Sequence, residues 1–198
     1  MLNIAMTNNV FPVGPGHAYG GERVIYYLTE ALANMGHNVY FFSQKGTIPP
    51  SNVKDYIPVE EMRNDTDVYL DAVKNYIQEK HVNFDGYHCA YFGEGWKKEA
   101  LTIAPCYVEQ VWNRWAHVPW QLKETGYNIV SYSKVLQSHF KRANVDTTMI
   151  YYGLPKDLYG FSNEHDDYTV WIGKIEGGKA PSLAIKVALA AGMKIVIM

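Results

Sequence analysis

Gly14–Ser43 reads GPGHAYGGERVIYYLTEALANMGHNVYFFS, and the apolar segment Leu2–Met6 stands just before it. The order is strand, glycine-rich loop, helix, strand, which places the loop at the carboxyl end of the first strand of an α/β sheet, where such sheets bind ligands. Val24, Tyr27, Leu28, Ala31 and Leu32 follow the i, i+3, i+4, i+7, i+8 spacing of one buried helical face. Gly36 supplies a left-handed stop. A helix that begins at Gly20 and Gly21 exposes unpaired backbone N–H groups and the positive end of its dipole, so an anion can approach without meeting a Cβ. A plain strand-to-helix turn explains the same glycines equally well.

The pattern continues outward from this unit. Strands are expected at Asn38–Phe42, Phe84–Phe92, Cys106–Val111, Asn128–Tyr132 and Thr147–Tyr152. Pro49, Pro50 and Pro58 make 45–60 a loop holding at most a short strand. A helix capped by Asp65 or Thr66 buries Tyr69, Val73, Tyr76 and Ile77 and ends near His81. A weaker helix covers Trp96–Ile103, and one capped by Ser133 turns Val135, Leu136 and Phe140 inward. After Gly153, Pro155 and the polar run Ser162–Asp167 the pattern restarts: strand Tyr168–Ile172, turn Gly173–Lys179, helix Ser182–Ala191, strand Lys194–Met198. The fold class is therefore α/β, a Rossmann-like doubly wound parallel sheet in residues 1–155, with a second, incomplete Rossmann-like lobe in 156–198.

Composition closes several doors. With 47% hydrophobic and 19% charged residues the 198-residue chain can bury a core. Its net charge of −2 offers no basic excess for nucleic acid. Cys89 and Cys106, the only cysteines, form neither a disulfide framework nor a zinc motif, and no metal site is expected. The apolar runs fall far short of the roughly 20 residues of a membrane span, and Leu2–Met6 is too short for a signal-peptide core. A reduced, cytoplasmic protein is expected. A dinucleotide cofactor fits poorly: after Gly14 and Gly16 the next glycine, Gly20, comes one position late for G-x-G-x-x-G. Ser43-Gln44-Lys45 also stands where a ribose-binding acid belongs. The Walker pattern is absent.

Three stretches carry a resemblance. GGERVIYYLTEALANMGHNVYFFS, SYSKVLQSHF with MIYYGLPKDLYGF, and VWIGKIEGGKAPSLAIKVALAAGMKIVIM resemble, in this order, the signature stretches of GT-B glycosyltransferases of family 4. The resemblance implies an enzyme that moves a sugar, with retention, from a nucleotide-diphosphate-sugar donor to a saccharide or lipid-linked acceptor. It implies no cofactor beyond that substrate. It makes residues 1–155 the acceptor-side domain and 156–198 the beginning of the donor-binding domain. Gly20 and Gly21 would lie beside the donor diphosphate, with Lys174 and Lys179 neutralising its oxygens. Lys174 stands where the family has an arginine; it keeps the charge and loses the bidentate fork. Tyr152-Gly153-Leu154-Pro155 departs from the family's hinge pattern except at the glycine.

A family histidine near the transferred sugar maps to His117, in the loop WNRWAHVPW, although Trp112-Asn113 compete for the same slot. His17, Trp115 and Trp120 are acceptor-side candidates, while packing of the tryptophans over the core is the plain alternative. The same tryptophans suit a lipid headgroup layer, so peripheral membrane contact joins the expected partners. The family's donor-binding E-x7-E pair is missing: the only such spacing, Glu22 and Glu30, falls on the first helix, where it is expected to occupy a polar face. A lobe of one β-α-β unit leaves sheet edges open. A fragment, or a chain covered by a second copy or another polypeptide, is therefore expected. A non-catalytic binding or regulatory module and a sugar-nucleotide epimerase remain as alternatives.

Overall fold

The structure, a computed structural model, describes residues 1–8, 11–15, 20–60, 66–89, 102–110 and 128–198. The expected helix at Trp96–Ile103 lies largely outside these residues. The chain divides into two compact units, Met1–Pro155 and Lys156–Met198.

In the first unit the described elements are β1 (Asn3–Asn8), α1 (Gly20–Asn34), β2 (Asn38–Gln44), β3 (Asp55–Val59), α2 (Thr66–Lys80), β4 (Gly86–Cys89), β5 (Cys106–Gln110), β6 (Asn128–Ser131), α3 (Lys134–Arg142) and β7 (Thr148–Met149). All seven strands are parallel, in the order β3-β2-β1-β4-β5-β6-β7. This is the Rossmann-like, doubly wound arrangement with one strand added. The span 45–60, read from its prolines as mostly loop, contributes a full strand, β3. Its position at the sheet edge explains how Pro58 is tolerated there.

Side chains alternate across the sheet. Ala5, Tyr40, Phe42, Tyr87 and Cys89 meet Tyr69, Leu70 and Val73 of α2 on one face. Edge-to-face contacts of Phe84 with Tyr40 (5.2 Å) and of Tyr76 with Phe42 (5.6 Å) lock that layer. Ile129 points the same way and packs on Leu136 and Phe140 of α3, which starts at Ser133, whose hydroxyl accepts from Leu136 N at 3.1 Å. Val135, expected inside, is 82% exposed, because the helix turns Leu136 and Phe140 to the sheet and Val135 falls a turn-fraction away.

On the opposite face Met6, Val39 and Phe41 are covered by α1 alone among the described helices. Gly36, at φ +86°, ends α1 as its position predicts. The buried stripe of α1, however, is rotated from the expected one: Glu22, Ile25, Tyr26 and Thr29 are buried, whereas Val24, Tyr27, Leu28 and Leu32 are half-buried and Ala31 is exposed. Glu22, expected on a polar face, is thus inside. Of the stripe that periodicity marks as core, Tyr27, Leu28 and Leu32 pack at the edge of the cluster around Met6, Val39 and Phe41, and the stripe's outer side lines an open groove.

In the second unit, β8 (Tyr168–Trp171), α4 (Pro181–Ala190) and β9 (Lys194–Ile197) form a parallel two-stranded β-α-β unit. Here only Ala188, at 4%, is a buried hydrophobic residue. Pro181 and Ala184 are half-buried beside it, while Leu183, Ile185, Val187 and Leu189 face outward. α4 thus packs small side chains inward and leaves large ones outside.

Candidate functional site

The order in which strands are added reverses between β1 and β4: from β1 the chain steps to β2 on one side, and β4 pairs with β1 on the other. The carboxyl ends of these strands flank the switch point at which open α/β sheets take ligands. Buried polar groups organise this edge. Asn8 Nδ2 donates to Phe11 O (2.8 Å) and to Ser43 Oγ (3.3 Å). Ser43 Oγ and Thr47 Oγ1 share a hydrogen bond of 2.9 Å, and Thr47 Oγ1 accepts from Val13 N at 3.1 Å. Ile48 N returns a bond to Val13 O at 2.8 Å. The loop that follows β1 is thereby clasped to the loop that follows β2, because each buried hydroxyl and amide must find a partner within the chain.

α1 begins beside this edge with Gly20 and Gly21 in its first turn. Among the described residues, a Cβ built on Gly20 meets nothing within 4 Å. The next residues carry opposite charges. Glu22 is buried, and the Nε of Arg23 is enclosed without a hydrogen-bond partner. An unpaired guanidinium donor in the first turn of a 15-residue helix adds to the positive potential of the free N–H groups, whereas the Glu22 carboxylate opposes an incoming anion. Arg23 was not singled out from the sequence; its signal is its place two residues after a glycine pair. Gln44, at the end of β2, is buried with Oε1 unpartnered.

In the second unit Lys174 and Lys179 lie on the turn between β8 and α4, and both are exposed. Trp171 Nε1 donates to Lys179 O (3.2 Å), Lys179 N donates to Glu176 O (3.0 Å) and Glu176 N to Lys174 O (2.8 Å). Ala180 takes a left-handed conformation (φ 53°, ψ 47°) to bring the chain into α4. The two lysines are therefore carried on one braced turn at a carboxyl strand end. His17, His117, Trp115, Trp120 and the competing Trp112-Asn113 lie outside the described residues.

Among the described residues of the first unit lies a groove of about 570 Å³. Val24, Leu28 and Leu32 of α1 form one wall, His88 and Val130 contribute from the sheet, and Tyr151–Pro155 closes it. Tyr152 stacks on Tyr132, with centroids 4.5 Å apart and planes at 17°. His88 opens part of its ring to the groove while Nδ1 is shut off from solvent without a partner among the described residues. Burial lowers its pKa to about 4, so the imidazole is neutral near pH 7. Among the described residues no group of three or more His, Cys, Asp or Glu side chains is placed to hold a metal ion, and no helix is long and apolar enough to cross a membrane.

No family model and no curated protein matches the sequence. Solved structures do share the fold. Anabaena HepE, crystallised with UDP and glucose, superposes with a TM-score of 0.62 at 14% identity, over 100% of this chain and 60% of its own. AviGT4, a glycosyltransferase of avilamycin A biosynthesis, gives 0.58 at 13% identity, over 98% and 56%. A glycosyltransferase from Rickettsia africae gives 0.54 at 15% identity, over 100% and 68%. The chain thus has a glycosyltransferase-like fold and spans less than two thirds of the first two structures it resembles.

Proposed function

We propose that the chain supplies the acceptor side, and the beginning of the donor side, of a glycosyltransferase of GT-B family 4 type. The reaction moves a sugar from a nucleotide-diphosphate sugar to a saccharide or lipid-linked acceptor with retention. The observation that carries the proposal is the open N-terminus of α1, beginning at Gly20 and Gly21, at the switch point of a parallel sheet whose fold is shared with solved glycosyltransferases. The structure of HepE holds UDP and glucose, which supports a sugar nucleotide as donor.

In this proposal the free N–H groups of α1 and the ammonium groups of Lys174 and Lys179 meet the diphosphate. Negative charge grows on that leaving group as the glycosidic bond breaks, and fixed positive groups lower the barrier most where charge develops. Arg23 adds a donor on the α1 side. His117 is assigned to the transferred sugar, and His17, Trp115 and Trp120 to the acceptor. No essential metal or further cofactor is invoked, since the protein's own cations supply the countercharge. A cytoplasmic location follows from the same reading of composition and of the apolar runs.

A second reading, a non-catalytic binding module, is favoured by one fact: Glu22 is buried in the first turn of α1, where its carboxylate opposes a diphosphate. Titration with uridine, guanosine and adenosine diphosphate sugars, followed by nucleotide release on adding oligosaccharide or polyprenyl-phosphate acceptors, separates the two. Binding with release in the presence of EDTA supports the enzyme, and binding without release supports the module. The absence of any binding, with Lys174→Ala and Lys179→Ala silent, overturns both.

A further inference from the structure

The groove beside α1 in the first unit and the outer face of α4 in the second are each uncovered among the described residues. Parallel sheets are covered by helices on both faces. α2 and α3 share one face of the seven-stranded sheet, while α1 is the only described helix on the other, and the β2–β3 connection at 45–54 contains none. The floor of the groove is therefore sheet surface at His88 and Val130, and its wall is the α1 stripe whose periodicity marks it as core. Ile150, Tyr151 and Leu154 at its rim are each more than half exposed.

α4 has the complementary deficiency. A helix that is apolar all round belongs inside a protein, yet Leu183 and Val187 are 60% exposed and Leu189 is 71% exposed. Its ten residues span roughly 15 Å, the length of the groove from Val24 to Asn34 along α1. Charge also matches. Among the described residues Glu30 is the one charged residue lining the groove, and Lys186 is the one charged residue of α4. Neither side chain is in an ion pair among the described residues.

We propose that two copies of the chain associate by seating the outer face of α4 of each copy in the α1 groove of the other, with Lys186 beside Glu30. One helix and one groove per copy give a reciprocal pair that closes on itself as a two-fold dimer. The proposal stands apart from glycosyl transfer and holds for either functional reading.

Sedimentation velocity of the 198-residue chain from low to high micromolar concentration tests it. A reversible dimer is expected. Val187→Glu places a carboxylate in the apolar seat and should weaken the dimer by at least about tenfold. Glu30→Lys and Lys186→Glu should each weaken it, and the two together should restore it. Circular dichroism and the urea midpoint check that these surface variants keep the monomer fold. A monomer at every concentration, a dimer unmoved by Val187→Glu, or a double variant as weak as the singles overturns the proposal.

Discussion

The chain contains two β-α-β units of similar local pattern that reach opposite states of burial. In β1-α1-β2, Ala5, Met6, Phe41 and Phe42 are fully enclosed. In β8-α4-β9 the strands keep Val170 and Val196 more than 40% exposed, and the helix buries one alanine. Strand and helix propensities are met in both. The difference is neighbours: β3 and β4 flank the first pair, and α1 and α2 cover its two faces. A β-α-β unit becomes a core only when other elements close over it, since apolar burial rather than propensity supplies most of the stabilisation.

The largest way to break this contrast is truncation in the two units. Phe41→Ala should cost about 3–5 kcal/mol in urea unfolding, whereas Ile172→Ala, at 76% exposure, should stay within about 0.5 kcal/mol. Equal costs would mean that the second unit is as enclosed as the first.

Next comes pH, which probes the sheet only in the first unit. The folded pKa of His88 is lowered to about 4, below its ordinary 6.5, so the unfolded chain takes up the proton first as pH falls. Stability is complete above the unfolded value and declines as pH drops from about 6.5 to 4, by up to about 3 kcal/mol. It stops changing for this residue below that window. His88→Leu should flatten this part of the unfolding profile; an unaltered slope would assign it to other groups.

The third test compares the two strand-to-helix turns directly. Gly20→Ala should leave the melting temperature nearly unchanged, because the added Cβ meets no atom of the described residues, while sugar-nucleotide affinity falls about tenfold. Unchanged affinity would remove Gly20 from the proposed diphosphate site. The smallest effects concern the helix starts. Ser133→Ala removes the cap of α3 and should cost about 1 kcal/mol. Ala180→Gly relieves a left-handed alanine with no side-chain cap and should stabilise the second unit by about 0.5–1 kcal/mol, read by hydrogen exchange of α4.

Much of the fold was legible because its signals are local. Apolar runs located the strands other than β3, and Gly36 and Ser133 marked a helix end and a helix start. What misled was tertiary. Val24, Tyr27, Leu28, Ala31 and Leu32 have the spacing of a buried face, and that spacing cannot tell whether anything lies over it; the groove is the answer. Glu22 reads as a surface acid until the helix rotation places it inside. Of the candidate site, the glycine pair and the turn with Lys174 and Lys179 were visible as motifs. Arg23 and Gln44 were not, because an enclosed atom without a partner is a property of assembled neighbours.

β1 precedes both of its sheet neighbours in sequence, yet it sits in the middle of the sheet, between β2 and β4. Its second partner begins at Gly86, in register with Ile4. A chain emerging from the ribosome must therefore hold an apolar strand with one side unpaired until that point has cleared the exit tunnel. Contacts this far apart in sequence make folding slow. In a cell, the early vulnerability of this chain lies at β1, where a chaperone that shields Asn3–Asn8 should raise the yield of native chain.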